Sequence, residues 1–235
     1  MKIVYVSDIH GNYPALQAVK DHAEYTHNPD MVVFLGDVFG VLGSNADCVD
    51  LIREWADVSI RGNHDTRNSP ERDFIPLFDD SIAEYELVEN EVSDEQREWV
   101  FGLPESFVIG GDTLVTHIRP EQRSPVGNGD DGGILKKDIP AVASEYLAES
   151  PYSTLVTGHT HEAYVESMDL FDGISGTFVN PGAVGYPYSN KNYVDNTHTG
   201  KATYAVHDTE NNSVHIEVVE YDSTPVIEFI DQLGL

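Results

Sequence analysis

The sequence predicts an α/β protein built from two mixed β-sheets packed face to face with helices outside. Three observations carry that reading. The first third alternates short apolar runs with amphipathic stretches, the order expected of parallel strands joined by right-handed crossovers. The second half turns strand-rich, with a hairpin signal at Gly110-Gly111. Most of the apolar runs end directly in short polar clusters, which is where an open parallel sheet gathers functional groups.

Residues 3–7 form a short apolar run suited to a strand buried on both faces. Asn12 then reads as an N-cap, with Pro14 in the first turn and Leu16, Val19 and Ala23 on one helical face. Residues 31–35 give a second buried strand. Ser44 or Asn45 caps a helix carrying Val49, Ile52 and Trp55, and residues 58–60 give a third strand. The stretch 66–103 is mostly helical and polar, and Ser93-Asp94-Glu95-Gln96 is a capping box opening a helix that ends near Gly102-Leu103-Pro104. Residues 106–109 and 113–116 flank the glycine pair as hairpin strands. A flexible acidic loop at 127–133 and a helix at 138–149 follow. Strands are expected at 154–156, 163–168, 177–180, 202–206 and 214–219, with a polar loop rich in Asn, Tyr and Gly at 185–200. No internal repeat or linker is visible. The 235 residues suffice for one α/β domain and do not demand two, so residues 1–235 read as a single domain.

The charge sets limits on partners. Forty-one Asp and Glu against thirteen Lys and Arg leave a formal net charge of -28, spread along the chain rather than blocked into a tail. Such a surface repels nucleic acid and anionic membrane over most of its area. It also resembles the composition of proteins from high-salt cytoplasms, because self-repulsion of this size needs a compensating condition. Cys48 is the only cysteine, which excludes a disulfide framework and a thiolate metal site. The first strand begins at Ile3, leaving no room for a signal segment, and the apolar run at 31–42 is broken by Gly36, Asp37 and Gly40. The expected location is the cytoplasm, with no membrane span.

Five clusters carry the chemistry: Asp8-Ile9-His10, Gly36-Asp37 with Gly40, Gly62-Asn63-His64-Asp65, Thr116-His117 and Gly158-His159-Thr160-His161. They supply two aspartates, an asparagine and four histidines as candidate ligands, with one histidine left over. That is an inventory for two divalent cations held by mixed nitrogen and oxygen donors. The i, i+2 spacing of Asp8 and His10, and of His159 and His161, suits an extended segment whose alternate side chains share a face. Two dications about 3.5–4 Å apart repel by roughly 20 kcal/mol at an effective dielectric near 20, so the pair needs a bridging anion. Asp37 is the natural bridge, because the glycines around it allow close approach.

Each cluster also has a plainer reading. A lone Asp-x-His pair is usually solvated surface, and Gly-Asp-x-x-Gly is usually a turn. Gly-Asn-His-Asp and Gly-His-Thr-His are more specific, and the joint occurrence of all in this order argues against coincidence. His22, His27, His198, His207 and His215 lack partners at such spacing and read as surface or strand residues.

On these motifs the chain resembles the calcineurin-like metallophosphoesterases, in particular their small bacterial and archaeal phosphodiesterase branch. Asp8-Ile9-His10-Gly11-Asn12 with Pro14-Ala15-Leu16 matches the opening of that family, and Val179-Asn180-Pro181-Gly182-Ala183-Val184-Gly185 matches a late loop of the branch. The resemblance implies a four-layer αββα sandwich. It implies one metal held by Asp8, His10, Asp37 and His161, a second held by Asp37, Asn63, His117 and His159, and His64 as the catalytic histidine. Asp65 is either the partner that orients His64 or an ordinary turn carboxylate. One departure is that His117 is followed by Ile118-Arg119-Pro120, where the family usually has a small residue; this narrows the substrate entrance or places Arg119 near a phosphate, against the plainer reading of a surface arginine.

The function implied is hydrolysis of a small or nucleotide-like phosphate ester, foremost a diester, by a hydroxide bridging two metals. Mn, Fe, Zn and Ni all suit the donors. A phosphomonoesterase or protein phosphatase would share this chemistry. A non-catalytic protein-binding scaffold would be expected to have lost ligands, and all eight positions are present. A DNA-repair-type nuclease would be expected to carry a basic stripe and an extra domain, and the chain shows neither. The sequence leaves the oligomeric state open.

Overall fold

A computed structural model describes residues 1–68, 79–118, 133–134, 137, 139, 146–147, 150–169, 175–186 and 199–233. Ten strands are seen among them: β1 (Lys2–Val6), β2 (Met31–Phe34), β3 (Val58–Ser59), β4 (Ser106–Ile109), β5 (Thr113–Thr116), β6 (Thr154–Val156), β7 (Tyr164–Asp169), β8 (Ser175–Asn180), β9 (Lys201–Asp208) and β10 (Ser213–Glu220). Six helices accompany them: α1 (Tyr13–His27), α2 (Asn45–Trp55), α3 (Asn63–Arg67), α4 (Asp79–Glu91), α5 (Asp94–Phe101) and α6 (Thr224–Leu233). The strands form two five-stranded mixed sheets, ordered β10-β9-β1-β2-β3 and β4-β5-β6-β8-β7.

β1, β2 and β3 pair in parallel, as the alternating order of the first third requires, while β9 and β10 complete that sheet antiparallel. In the second sheet β5, β6 and β8 are parallel, and β4 and β7 close its two edges antiparallel. The pleat sorts the core into layers. On β1, Val4 and Val6 face the helices together with Leu16, Val19 and Ile52, whereas Ile3 and Tyr5 face the second sheet. Val115, Val156 and Val179 meet them from that sheet, while Leu114, Leu155 and Phe178 turn outward onto Ile139 and Leu147. Each such side chain is worth about 1.5–3 kcal/mol when fully buried. The class is the four-layer α/β sandwich that the sequence implies.

Local signals hold where a side chain can reach a free backbone group. Asn12 Oδ1 accepts from Ala15 N at 3.2 Å, and Ser93 with Gln96 closes the capping box of α5. Elsewhere tertiary structure decides. Ser44 occupies the N-cap position of α2 but makes no side-chain cap bond. Glu91 caps that helix from α4, its Oε2 accepting from Asn45 N at 3.0 Å and from Asn45 Nδ2 at 2.9 Å. The C-terminal α6 is not among the elements expected from the sequence; its Val226 and Ile230 pack on Leu42. The expected loop at 127–133, helix at 138–149 and loop at 185–200 fall mostly outside the described residues. No helix among the described residues is long and apolar enough to cross a membrane.

The two sheets bring their strand ends to one place. Val184 N donates to Ser7 O at 3.0 Å and Gly185 N to Asp8 O at 2.9 Å, so the loop after β8 is tied to the loop after β1.

Candidate metal centre and active site

The clusters lie just beyond the carboxyl ends of the strands. Asp8 and His10 follow β1, Asp37 follows β2, His117 follows β5, and His159 with His161 follow β6; Asn63 and His64 open α3. The extended i, i+2 geometry expected for Asp8 and His10, and for His159 and His161, is not what brings them together. β1 ends at Val6 and β6 at Val156, and these four residues adopt left-handed backbone, with φ of 56°, 53°, 70° and 56° respectively. Asp37 does the same at φ 61°. Five of the eight non-glycine residues in that region among the described residues are therefore candidate ligands. Such backbone is costly for residues with a Cβ and clusters at functional sites. Glycines make room for it: a Cβ on Gly62 would strike the Asp37 carboxylate, and one on Gly158 would strike Ser7 and Asp8.

The side chains fall into two groups that share Asp37. In the first, His10 Nε2 and His161 Nε2 face each other at 3.1 Å, and they lie 3.8 Å and 3.2 Å from Asp8 Oδ1. Asp37 Oδ2 is 3.9 Å from His10 Nε2, and Asp8 Oδ1 is likewise 3.9 Å from His117 Nε2 of the other group. In the second, the same Asp37 Oδ2 is 3.2 Å from His117 Nε2, and Asn63 Oδ1 lies 3.0 Å from His117 Nε2 and 2.7 Å from His159 Nδ1. Asp8, His10, Asp37 and His117 are essentially inaccessible to solvent.

These residues fit a cation by their own chemistry. Asp8 Oδ1 is a buried carboxylate oxygen with no hydrogen bond, an expensive state unless something positive sits against it. The imidazoles are oriented from behind. His10 Nδ1 faces Phe39 O at 3.1 Å, His117 Nδ1 faces Leu35 O at 2.8 Å, and His161 Nδ1 faces Tyr186 O at 3.1 Å. A carbonyl can only accept, so each Nδ1 carries a proton, and Nε2 is the inward-facing nitrogen left to a cation once it has no proton of its own, as in metal-ligating histidines. Burial would raise the Asp8 and Asp37 carboxyls. The imidazoles of His161 and His117 beside Asp8, and of His117 and His64 beside Asp37, hold both well below the usual carboxylate range. Burial lowers His117, but the charges of Asp37 and Asp8 outweigh it and lift its pKa to about 9. Burial keeps His10 below the ordinary imidazole value.

His64 stands beside the first group, its ring edge-on to His10 with 4.7 Å between centroids. Its backbone N donates to Asp37 Oδ1 at 2.8 Å. Its Nδ1 meets Glu84 Oε2 at 2.6 Å, and Arg67 Nη1 lies 3.3 Å from its Nε2. Asn68 Nδ2 donates to the other Glu84 oxygen at 2.8 Å. Burial would lower His64, but Glu84 and Asp37 raise it above the ordinary imidazole value.

Asp65 does not orient His64. Its carboxylate accepts from the backbone N of Asp37, Val38, Phe39 and Gly62 at 2.9, 2.9, 3.2 and 2.9 Å, stapling the loops after β2 and β3 together. Burial and the charge of Asp37 push that carboxyl up to about 6, against those N–H donors. The loop at Val179-Asn180-Pro181-Gly182 acts in a similar way. Asn180 Nδ2 donates to Gly158 O at 2.8 Å and to Thr160 Oγ1 at 3.1 Å, holding the last histidine pair. All eight of the expected metal and catalytic residues thus converge. Arg119 lies outside the described residues. Glu84, Arg67 and Tyr186, the last stacked on His10 at 4.7 Å between centroids, carry no motif and are found only in three dimensions.

Residues 1–212 match the calcineurin-like phosphoesterase superfamily domain, and the chain belongs to that family. It is accordingly a metal-dependent phosphoric ester hydrolase, of a family that depends on divalent metals. The uncharacterized protein MJ0912 of Methanocaldococcus jannaschii is 25% identical over 244 residues, covering 97% of this chain and 91% of that protein. Among solved structures, a metallophosphoesterase from Sphaerobacter thermophilus is 25% identical with a TM-score of 0.73, over 100% of this chain and 95% of its own. The hypothetical protein PH1004 from Pyrococcus horikoshii has the same fold, with a TM-score of 0.74 and 21% identity over 100% and 94% of the two chains.

Proposed function

We propose that the protein is a binuclear phosphodiesterase acting on a small or nucleotide-like ester. The observation that carries the reading is the sorting of Asp8, His10, Asn63, His117, His159 and His161 into two groups around Asp37, which is 3.2 Å from His117 and 3.9 Å from His10, with Asp8 Oδ1 also 3.9 Å from His117. On this reading Asp8, His10, Asp37 and His161 hold one cation, Asp37, Asn63, His117 and His159 hold the other, and Mn, Fe, Zn or Ni suits the donors. Cations bound there would lower the pKa of a water and neutralise phosphoryl oxygens.

The remaining work falls to the chain's own groups. His64, raised by Glu84, supplies a proton or hydrogen bond to the leaving oxygen through Nε2. Arg67, 3.3 Å from that nitrogen, is placed to neutralise a phosphate oxygen. One such cation matches the single negative charge of a diester, whereas a monoester carries about -1.5 to -2 at pH 7. The net charge of -28 favours a small substrate over a polyanionic polymer. Because ligands come from both sheets, residues 1–235 are taken to act as one domain.

A panel of phosphodiesters, phosphomonoesters, dinucleotides and phosphopeptides, assayed with Mn²⁺, Fe²⁺, Zn²⁺ and Ni²⁺ after chelation, tests this. Diester turnover restored by two equivalents of metal is expected. Metal-independent turnover, or preference for monoesters or phosphopeptides, would overturn it.

A further inference from the structure

A second group of imidazoles lies at the edge of the first sheet. β10 is the edge strand and carries His215 and Glu217 two residues apart, hence on one face. α1 lies over that face with His22 and His27. His27 Nε2 is 3.0 Å from Glu217 Oε1, and His215 Nε2 is 3.3 Å from the same oxygen. His22, His27 and Glu217 each present a ligand atom within 4.8 Å of the others. The His27 ring centroid stands 6.2 Å from that of His22 and 5.7 Å from that of His215.

We propose that His22, His27, His215 and Glu217 form a separate site for a borderline transition-metal cation of the Zn²⁺ class, which clamps the end of α1 onto β10. Three imidazoles and one carboxylate are the donors such a cation prefers. Donors of a tetrahedral zinc, at ~2.0–2.1 Å from the ion, stand roughly 3.3–3.4 Å from one another. The separations of 3.0 and 3.3 Å around Glu217 Oε1 are close to that spacing, while His22 stands within 4.8 Å of His27 and Glu217 and His215 reaches that trio through Glu217, so the rings draw inward when the cation binds. The cluster has its own supporting layer. His22 Nδ1 meets the Tyr204 hydroxyl at 2.8 Å, and with the proton on Nδ1 the lone pair of Nε2 is left for the cation. Lys2, whose Nζ donates to His27 O at 3.3 Å, opposes a cation there, and the Glu217 charge within the acidic surface favours one.

The site is independent of the phosphoesterase reading and is tested apart from it. Metal-stripped protein is titrated with Zn²⁺, and bound metal is counted by elemental analysis after dialysis. The wild type should retain one equivalent more than the double variant His27→Gln/His215→Gln, with phosphodiester turnover the same in both. Tyr204→Phe, nearly the same shape in the core, should weaken that one equivalent by ~10–100-fold, as loss of a supporting hydrogen bond does elsewhere. Equal stoichiometry in wild type and double variant would overturn the site. Should the double variant not fold, the wild type still decides the question. Zn²⁺ should shift the ring resonances of His22, His27 and His215 in its NMR spectrum, and rings unmoved at millimolar Zn²⁺ would show only a hydrogen-bonded clamp.

Discussion

Glu84→Gln separates the charge of Glu84 from its shape. Glu84 is buried, only 4% exposed, and meets His64 Nδ1 at 2.6 Å, so the bond is charge-assisted and poorly screened. A glutamine carbonyl can still accept from Nδ1–H and keep the ring in place, and what disappears is stabilisation of the imidazolium. A hydrogen bond to a charged group is worth about 1.5–3 kcal/mol. At about 1.36 kcal/mol per factor of ten, the variant should lose roughly 10- to 150-fold in kcat on esters with poor leaving groups. The ceiling is His64→Ala, since general acid assistance as a whole is worth about 10²–10⁴-fold.

The pH profile gives the sharper reading. His64 is held above its ordinary value by Glu84 and Asp37 together, against burial. An acid must be protonated, so activity is present below the His64 pKa and is lost as pH rises through it. Removing the Glu84 charge should move that basic limb to lower pH. The assay is kcat against pH for an alkyl or nucleoside diester and for a nitrophenyl diester, with metal content measured alongside. Metal content should be unchanged, and the nitrophenyl ester should lose least. A basic limb that stays in place, or equal losses on both esters, would refute His64 as a proton donor tuned by Glu84.

Other perturbations address the metal ligands and the scaffold. Chelation should abolish activity, and Asp37→Asn should lower metal content at both positions in elemental analysis, because Asp37 is the carboxylate common to both groups. Asp65→Asn should lower the melting temperature and impair metal binding, because an amide NH₂ would face at least two of the four N–H groups the carboxylate now accepts from, and each unmet buried donor costs about 1–3 kcal/mol. In the metal-free protein the raised His117 pKa contributes stability that is present below 6.5 and lost as pH rises through about 9, so its melting temperature should fall across that window. Metal loading should remove this fall, release protons and weaken as pH drops, all readable by calorimetry. Finally, melts in 0.1 M and 2 M KCl should show higher stability in the latter, because the screening length falls from about 10 Å at 0.1 M to about 3 Å at 1 M and quenches the repulsion of a -28 surface.

Much of the centre is legible in the sequence because each ligand sits in a short motif at the end of an apolar run, and strand ends are where parallel sheets present side chains. The conformation of those motifs is not legible. Alternation along a strand is the natural inference for Asp8 and His10, but the pleat stops at Val6 and left-handed residues take over. Glu84 cannot be read at all, since an acidic residue in a polar helix has no signature until α4 folds against α3. The same applies to His27 and Glu217, 190 residues apart. α6 is different. Pro225 at its start and Val226, Phe229 and Ile230 at helical spacing are a visible signal, masked by the strand-rich character of the second half.

The left-handed ligands tie the aspartates of the centre to the scaffold around it. Left-handed backbone costs about 1–2 kcal/mol per residue with a Cβ, so Asp8, His10, Asp37, His159 and His161 together carry roughly 5–10 kcal/mol. Hydrogen bonds between the loops offset it: Asp8 N to Gly36 O, Ile9 N and His10 N to Asp37 O, and the Asp65 staple. Each aspartate also divides its own oxygens between two roles. Asp8 Oδ2 accepts from His159 N at 3.0 Å while Oδ1 is left without a hydrogen bond beside His161; Asp37 Oδ1 accepts from His64 N while Oδ2 faces His117. One oxygen holds the loops in their strained form and the other faces the imidazoles of the centre. An asparagine can fill one role only by failing the other, because its single oxygen serves either the backbone N–H or a cation, and its NH₂, taking the remaining position, brings neither negative charge nor a lone pair there. A ligand substitution at Asp8 or Asp37 is therefore also a scaffold substitution, whereas His64 holds Asp37 Oδ1 through its backbone N, a contact that a side-chain substitution leaves in place.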